Sequence, residues 1–203
     1  MKKTEYIWKH SHADNSFTYL TKSLEKIILK EIKLKKNYLD VGCGNGFLTK
    51  KIASNFKSID AIDSSKSAIK HAKKNYKGKI NFLNLEIQKY KLRKKFDIIS
   101  LIEVIEHLYS PDDIIKKIKR LMDKNTILII STPYHGYFKN LLITIFNKFD
   151  NHVDPLWEHG HIKFWSTKTL KKLLLSNKLK IKKIYFSGRF FPVSKSMIFI
   201  VQK

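Results

Sequence analysis

The stretch Tyr38-Leu-Asp-Val-Gly-Cys-Gly-Asn-Gly46 decides how the rest of this 203-residue chain is read. A short apolar run, 38–41, passes directly into three glycines and then into a helical pattern over 47–56. Glycines at such a junction let the backbone turn and approach a ligand without a Cβ clash. The helix that follows offers free N–H groups at its N-terminus. The dinucleotide fingerprint has the spacing Gly-x-Gly-x-x-Gly. Here Gly42, Gly44 and Gly46 are spaced Gly-x-Gly-x-Gly and position 47 is Phe47. Taken alone, the loop is also compatible with a plain tight turn.

The next acid makes the loop specific. Asp63 closes the apolar run Ile59-Asp-Ala-Ile-Asp63. It lies about 20 residues beyond the glycines, where a carboxylate can accept hydrogen bonds from both hydroxyls of a ribose. The competing reading of Asp63 is a cap for the following helix.

Outward from this core, short β-branched runs alternate with helical patterns, which predicts a parallel sheet with crossover helices. Strands are expected at 38–41, 58–63, 80–84, 96–101 and 126–131, with helices over 47–56, 66–75 and 111–122. The fourth strand is almost wholly apolar, as a strand covered on both faces should be. Pro111, followed by Asp112 and Asp113, is a well-formed helix start. Ser166 or Thr167 caps a helix reaching about residue 177. Two last strands, 181–186 and 197–202, are joined by a connection containing Gly188, Pro192 and Ser194. That connection is too short for a parallel crossover, so this pair should be antiparallel. The expected fold class is α/β: a Rossmann-like seven-stranded sheet, five parallel strands plus a terminal antiparallel hairpin, with helices on both faces. Residues 1–203 read as a single domain with an N-terminal cap segment over about 1–36 and an inserted lid or substrate segment over about 134–165.

With these features together, the chain resembles the class I S-adenosylmethionine (SAM)-dependent methyltransferases. Leu39-Asp-Val-Gly-Cys-Gly-Asn-Gly46 looks like that family's first motif, and the strand ending in Asp63 looks like its ribose-binding acid. The resemblance implies SAM as cofactor, with Asp40 orienting its methionine moiety directly or through water. It assigns the cofactor cradle to Asp40, Gly42, Cys43, Gly44, Asn45, Gly46, Asp63, Ser64 and Ile102. After strand 3 the family places an Asp and an apolar residue against adenine. The aligned pair here is Glu86 and Ile87, an acid one carbon longer, with Asn84 as an alternative partner.

Ser100-Leu-Ile-Glu-Val-Ile-Glu-His107 follows the fourth strand at the edge where ligands bind in open α/β folds. One helical turn would bring Glu103 beside Glu106 and His107. His107 or Glu103 could serve as a general base for a substrate hydroxyl. Glu103, Glu106 and His107 could instead hold a divalent cation such as Mg2+ that lowers the pKa of a phenol-like hydroxyl. The third reading is a loop whose polar groups are satisfied locally. This Glu-x-x-Glu-His pattern resembles the ubiquinone-pathway O-methyltransferases, in which it is implicated in metal binding and activity.

Within the inserted segment, Phe138, Leu141, Leu142, Ile145, Phe146 and Phe149 form a helical apolar stripe over 137–149. Core packing is the expected use of such a stripe. The alternative is a lid over an apolar acceptor, or a face for peripheral contact with a membrane. The following stretch carries Trp157, Glu158, His159 and His161, with no standard zinc spacing. Trp157, His159, His161 and Tyr134 are taken as substrate contacts, and the segment 6–17 as a cover over the cofactor.

Composition bounds the function. The 43% hydrophobic content is that of a folded chain, and one cysteine, Cys43, excludes a disulfide framework. No run at the N-terminus has signal-peptide length, so a cytoplasmic protein, or one associated with a membrane surface, is expected. The net charge of +24 invites a nucleic-acid partner, but arginine occurs only at Arg93, Arg120 and Arg189. Arginine supplies the bidentate fork favoured at phosphates and bases. The Asn/Asp-Pro-Pro-aromatic motif of amino-methylating nucleic-acid enzymes is replaced here by Leu101-Ile-Glu-Val. A small-molecule acceptor is therefore the leading expectation. A nucleic-acid methyltransferase and a non-catalytic SAM-binding protein are the alternatives, and the sequence leaves oligomeric state open.

Overall fold

A computed structural model describes residues 18–31, 36–91, 95–154 and 156–203. The proposed cover at 6–17 lies outside the described residues. The parallel strands are β1 (Asn37–Val41), β2 (Ser58–Asp63), β3 (Ile80–Asn84), β4 (Ile98–Ile102) and β5 (Ile127–Pro133). The helices are α1 (Thr18–Glu31), α2 (Phe47–Ile52), α3 (Lys66–Asn75), α4 (Pro111–Leu121), α5 (Tyr137–Ile145) and α6 (Thr167–Ser176). Strands β6 (Lys180–Ser187) and β7 (Ser196–Gln202) end the chain.

All seven strands join one sheet in the order β3-β2-β1-β4-β5-β7-β6. Strands β1 to β5 pair in parallel, and β7 inserts antiparallel between β5 and β6. The expected architecture is thus the observed one. Every parallel strand points its C-terminal end to the same edge, and the chain order reverses between β1 and β4. A crevice opens at such a switch point. Exposed Lys180, Lys182 and Lys183 blunt the outer edge strand β6 against pairing with another chain.

Successive residues of a strand point to opposite faces, so both faces are apolar. Leu39, Ile99, Ile130 and Phe199 pack on one side with Ile114, Ile115 and Ile118 of α4 and Leu170 and Leu174 of α6. Tyr38, Ile98, Ile129 and Ile198 pack on the other with Leu20, Leu24 and Ile28 of α1. Each such apolar side chain contributes about 1.5–3 kcal/mol on burial.

The helix ends follow local chemistry. Pro111 opens α4, Asp112 and Asp113 occupy its first turn, and Lys119 and Arg120 its last, complementing the helix dipole. Ser166 and Thr169 close a reciprocal capping box at the start of α6. The helix expected over 47–56 is shorter: α2 stops at Ile52 and a 3-10 turn, Ala53–Asn55, completes it.

The apolar stripe of the insertion overturns the expectation of core packing. Helix α5 buries Lys139 and Ile143, whereas Phe138, Leu141, Leu142, Ile145, Phe146 and Phe149 are exposed, Ile145 and Phe146 by 63% each. Periodicity defines a stripe but does not supply an element to cover it. Among the described residues, no helix is long and apolar enough to cross a membrane.

Candidate active site at the switch-point edge

The glycine loop leaves β1 in left-handed backbone: φ is +78° at Gly42, +54° at Gly44 and +79° at Gly46. A Cβ at Gly42 would lie 2.4 Å from Val104 Cγ2, and one at Gly46 would lie 2.8 Å from the Phe82 ring. The loop is pinned across the sheet, since the N–H groups of Gly42 and Cys43 both donate to the Ile62 carbonyl. Asn45 Oδ1 accepts from Phe47 N, and Cys43 is buried.

Asp63 is held between that loop and the turn into α3, and it is not the cap of that helix. Its Oδ2 accepts from Gly44 N at 2.8 Å and its Oδ1 from Ser65 N at 2.8 Å. The cap of α3 is Ser65, whose Oγ accepts from Ala68 N. Burial pushes the Asp63 carboxyl up, against the two N–H donors that pull it down. Each carboxylate oxygen keeps a second lone pair for a ligand hydroxyl.

Asp40 turns inward. Thr49 Oγ1 donates to its Oδ2 at 2.6 Å and Ser100 Oγ to its Oδ1 at 2.7 Å, and Tyr38 joins the chain through Ser100. Burial raises its carboxyl and those hydroxyls oppose the rise. The acid thus ties β1, α2 and β4 together beneath the loop. Asn84 Nδ2 donates to the carbonyls of Asp63 and Ser64, so its amide braces the β2 turn. Ile87 is buried, Glu86 is half-buried 3.9 Å from Lys89, and Ser64 is exposed. Ile102 is partly buried against the α1 face of the core.

Across the switch point, Glu103 stands in left-handed backbone, φ +53°. Ser131 Oγ donates to its Oε1 at 2.7 Å, and Ser196 Oγ meets the Tyr19 hydroxyl at 2.9 Å. Burial pushes the Glu103 carboxyl up to about 7, opposed by the hydroxyls of Ser131 and Ser196 and by the charge of Lys139. Glu106 is 1% exposed, and neither of its carboxylate oxygens accepts a hydrogen bond. Burial, then the Glu103 charge, push its carboxyl well above the ordinary range. Thr132 and the Glu106 backbone lie near enough to oppose that rise without making a hydrogen bond of proper geometry.

The inserted segment comes to this edge. Ile162 N and Lys163 N both donate to the Glu106 carbonyl at 3.0 Å. The His107 ring meets Trp157 and His161 edge-on, at 5.8 and 4.8 Å between centroids. Burial lowers the pKa of His107, and lowers those of His135 and His161 to about 4 each.

A family model described as a methyltransferase domain matches residues 12–183. The chain belongs to the methyltransferase-domain family. Its sheet order and glycine loop are those of the class I SAM-dependent branch. This methyltransferase domain is similar to a ubiquinone biosynthesis O-methyltransferase of Pelagibacter ubique, 33% identical over 160 residues, covering 77% of this chain and 65% of that protein. It is also similar to the mitochondrial ubiquinone biosynthesis O-methyltransferase of Schizosaccharomyces pombe, 28% identical and covering 68% of this chain and 53% of that one. The chain therefore spans less than two thirds of the length of these two relatives. Among solved structures, the magnesium protoporphyrin IX methyltransferase of Synechocystis with bound SAH superposes with a TM-score of 0.69 at 17% identity, covering 91% of this chain and 82% of that one. That likeness is one of fold.

The methyltransferase domain groups its expected site residues unevenly. Gly42–Gly46 and Asp63 share one cradle, while Glu103, Glu106 and His107 stand on the other side of the β1/β4 junction. Among the described residues, the candidate metal ligands whose donor atoms lie within 4.8 Å of one another are Glu106, His107 and His161. Glu103 is not in that group, because the left-handed turn directs it to Ser131. Tyr134 is buried with its ring against Phe186, whereas Trp157 and His159 are exposed. Sequence reasoning missed Tyr19, Ser131, Ser196, His135 and Lys139. His135 was findable, since it lies two residues past the end of β5 at the ligand edge. Tyr19 and Ser196 meet across 177 positions of chain and carry no local signal.

Proposed function

We propose that this domain transfers a methyl group from SAM to an oxygen of a small, apolar, lipid-soluble acceptor. The observation that carries this reading is the facing of two chemistries at one sheet edge: the glycine cradle with Asp63, and Glu103 with a carboxyl pKa of about 7. SAM, when bound, supplies an electrophilic methyl on a sulfonium. Gly42–Gly46 and Asp63 hold the adenosyl part, Glu86 and Ile87 border the base, and Asp40 positions the loop through Thr49 and Ser100. An acceptor hydroxyl that gains the methyl must lose its proton. Glu103, half-ionised near neutrality, takes it at Oε2 while Ser131 holds Oε1. His107 is the second candidate for that proton. As the oxygen–carbon bond forms, the carbon–sulfur bond breaks and leaves S-adenosylhomocysteine. Positioning the oxygen about 3 Å from the methyl, with water excluded, supplies most of the rate. Trp157, His159, His161 and Tyr134 form the acceptor's surroundings. The names of the two relatives, both O-methyltransferases, support oxygen over nitrogen.

The resemblance also implied Mg2+. The unpartnered carboxylate of Glu106 fits a cation, but the two imidazoles beside it do not suit magnesium, which takes oxygen ligands. The outward face of α5 supports the apolar acceptor. Its exposed Phe138 and Ile145, with Phe146 at its C-cap, on a helix without acidic residues in a chain of net charge +24, match an anionic bilayer surface where such an acceptor dissolves.

The test is S-adenosylhomocysteine release across phenols, quinols, lipids and amines, with and without magnesium. Release with a phenol or quinol is expected. Turnover with amines alone overturns the oxygen assignment. Asp63→Ala should weaken SAM binding by roughly 1.5–3 kcal/mol in calorimetry. Unchanged affinity would place the cofactor elsewhere.

A further inference from the structure

Helix α5 is built the wrong way round for a core helix: its apolar stripe faces out and its lysine faces in. Lys139 is 8% exposed, the one buried lysine or arginine among the described residues. Burying an ammonium is costly unless hydrogen bonds or an opposite charge compensate. Its Nζ donates to the Lys195 carbonyl at 3.3 Å, which leaves two of its three N–H groups for another partner. The same carbonyl accepts from Tyr134 N at 2.9 Å. The ammonium is thereby fixed at the ligand edge, beside the Pro133–Ser196 end of the β5–β7 ladder.

The acid that answers it stands one strand away. Glu103 N donates to the Ser131 carbonyl of β5 at 3.1 Å, and Ser131 Oγ holds Glu103 Oε1, so Oε2 is left for a ligand. Burial dominates both groups, lowering Lys139 to about 8 and raising Glu103, and the charge of each opposes that shift in the other. At neutral pH the ammonium therefore stays largely charged. Yet among the described residues the two form no direct salt bridge. A cation and a carboxylate that act on each other across a gap bracket a group able to accept from one and donate to the other. A hydroxyl does both.

We propose that Lys139 and Glu103 grip the acceptor hydroxyl from opposite sides, Lys139 Nζ donating to its oxygen and Glu103 Oε2 accepting its proton. This rests on the proposed function and adds to it the group that holds the reacting oxygen. The O–H proton passes to Glu103, and an oxygen electron pair forms the bond to the methyl carbon. The carbon–sulfur pair stays on sulfur, leaving S-adenosylhomocysteine. Lys139 keeps its own proton throughout. It is a fixed donor aimed where negative charge develops, in a site that does not have to reorganise. A neighbouring cation favours the charged form of a hydroxyl, so the bound acceptor ionises more readily than in water.

The experiment reads that oxygen directly. 4-Nitrophenol, whose anion absorbs in the visible, is titrated into the full chain with S-adenosylhomocysteine at mildly acidic pH, where the free phenol is mostly neutral. The bound phenol should show the anion band, and Lys139→Met should abolish it. With a phenol that the unsubstituted chain methylates, Lys139→Met should lower kcat by about 100- to 1000-fold, the scale of one lost oxyanion donor. Retained SAM binding reports that the variant has folded. Lys148→Met, which removes an exposed charge just beyond the same helix, should change neither readout. A neutral bound phenol in the unsubstituted chain overturns the proposal without needing any variant to fold. Unchanged kcat in Lys139→Met overturns it as well, and leaves oxygen methylation standing. Turnover with amines alone would instead sink the oxygen reading itself.

Discussion

Gly46 and Glu103 both stand in left-handed backbone, φ +79° and +53°, yet the residue chosen differs because the surroundings differ. At Gly46 there is no room: an added Cβ would lie 2.8 Å from two atoms of the Phe82 ring and 3.2 Å from Ala72. Gly46→Ala should therefore destabilise the fold by about 1–3 kcal/mol in urea denaturation and weaken SAM binding in calorimetry. An unshifted midpoint with full affinity would mean the loop tolerates a side chain and the cradle is misassigned. At Glu103 the strain is tolerated by a side chain bonded to Ser131. Its carboxyl, raised from 4.5 to about 7, gives a signed pH dependence. Between these values the folded state keeps a proton that the unfolded state has lost, so stability falls as pH rises through that window. The loss is on the order of 3 kcal/mol by the upper end. Glu103→Gln should lessen this decline in denaturation midpoints measured from pH 4.5 to 7, the remaining slope belonging to the buried Glu106 carboxyl. It should also remove the limb of the rate profile that rises toward pH 7. A variant retaining both slopes would transfer the base role to His107. The position of Glu103 at the ligand edge was legible from its place after a buried strand. Its separation from Glu106 and His107 was not, because a left-handed residue breaks the helical turn assumed from spacing.

Helices α4 and α5 make the same point for elements. Both carry apolar residues at helical spacing. Helix α4 buries Ile114, Ile115, Ile118 and Leu121, while Phe138, Leu141, Leu142 and Ile145 of α5, and Phe146 and Phe149 just beyond it, stay exposed. A hydrophobic period reports that a face exists; what covers it depends on neighbours supplied by distant sequence. Replacing Leu142 and Phe146 by Glu should therefore leave folding stability within about 0.5 kcal/mol, as for surface positions. The same change should remove sedimentation with phosphatidylglycerol vesicles, since each buried aromatic or Leu contributes about 1.5–3 kcal/mol to partitioning. Equal sedimentation of variant and parent would sink the bilayer reading, and a large loss of stability would mean the face is packed.

For the whole molecule, the sheet order β3-β2-β1-β4-β5-β7-β6 brings the cradle and the acid–imidazole group to one edge. Strand identity, parallel pairing and the terminal hairpin were legible because they rest on local quantities: alternation, β-branched runs, glycine positions and connection length. The glycine loop was legible for the same reason, since left-handed turns favour glycine where they occur. The chain by itself therefore determined its fold class and the place of the glycine loop at the ligand edge of the sheet. Only the tertiary structure decided that Asp40 faces inward, that the α5 stripe faces out and that His161 joins Glu106 and His107. Those outcomes depend on contacts between residues far apart in the chain, such as His161 with Glu106 across the whole of α4, β5 and α5, and no local pattern encodes which distant side chain will arrive.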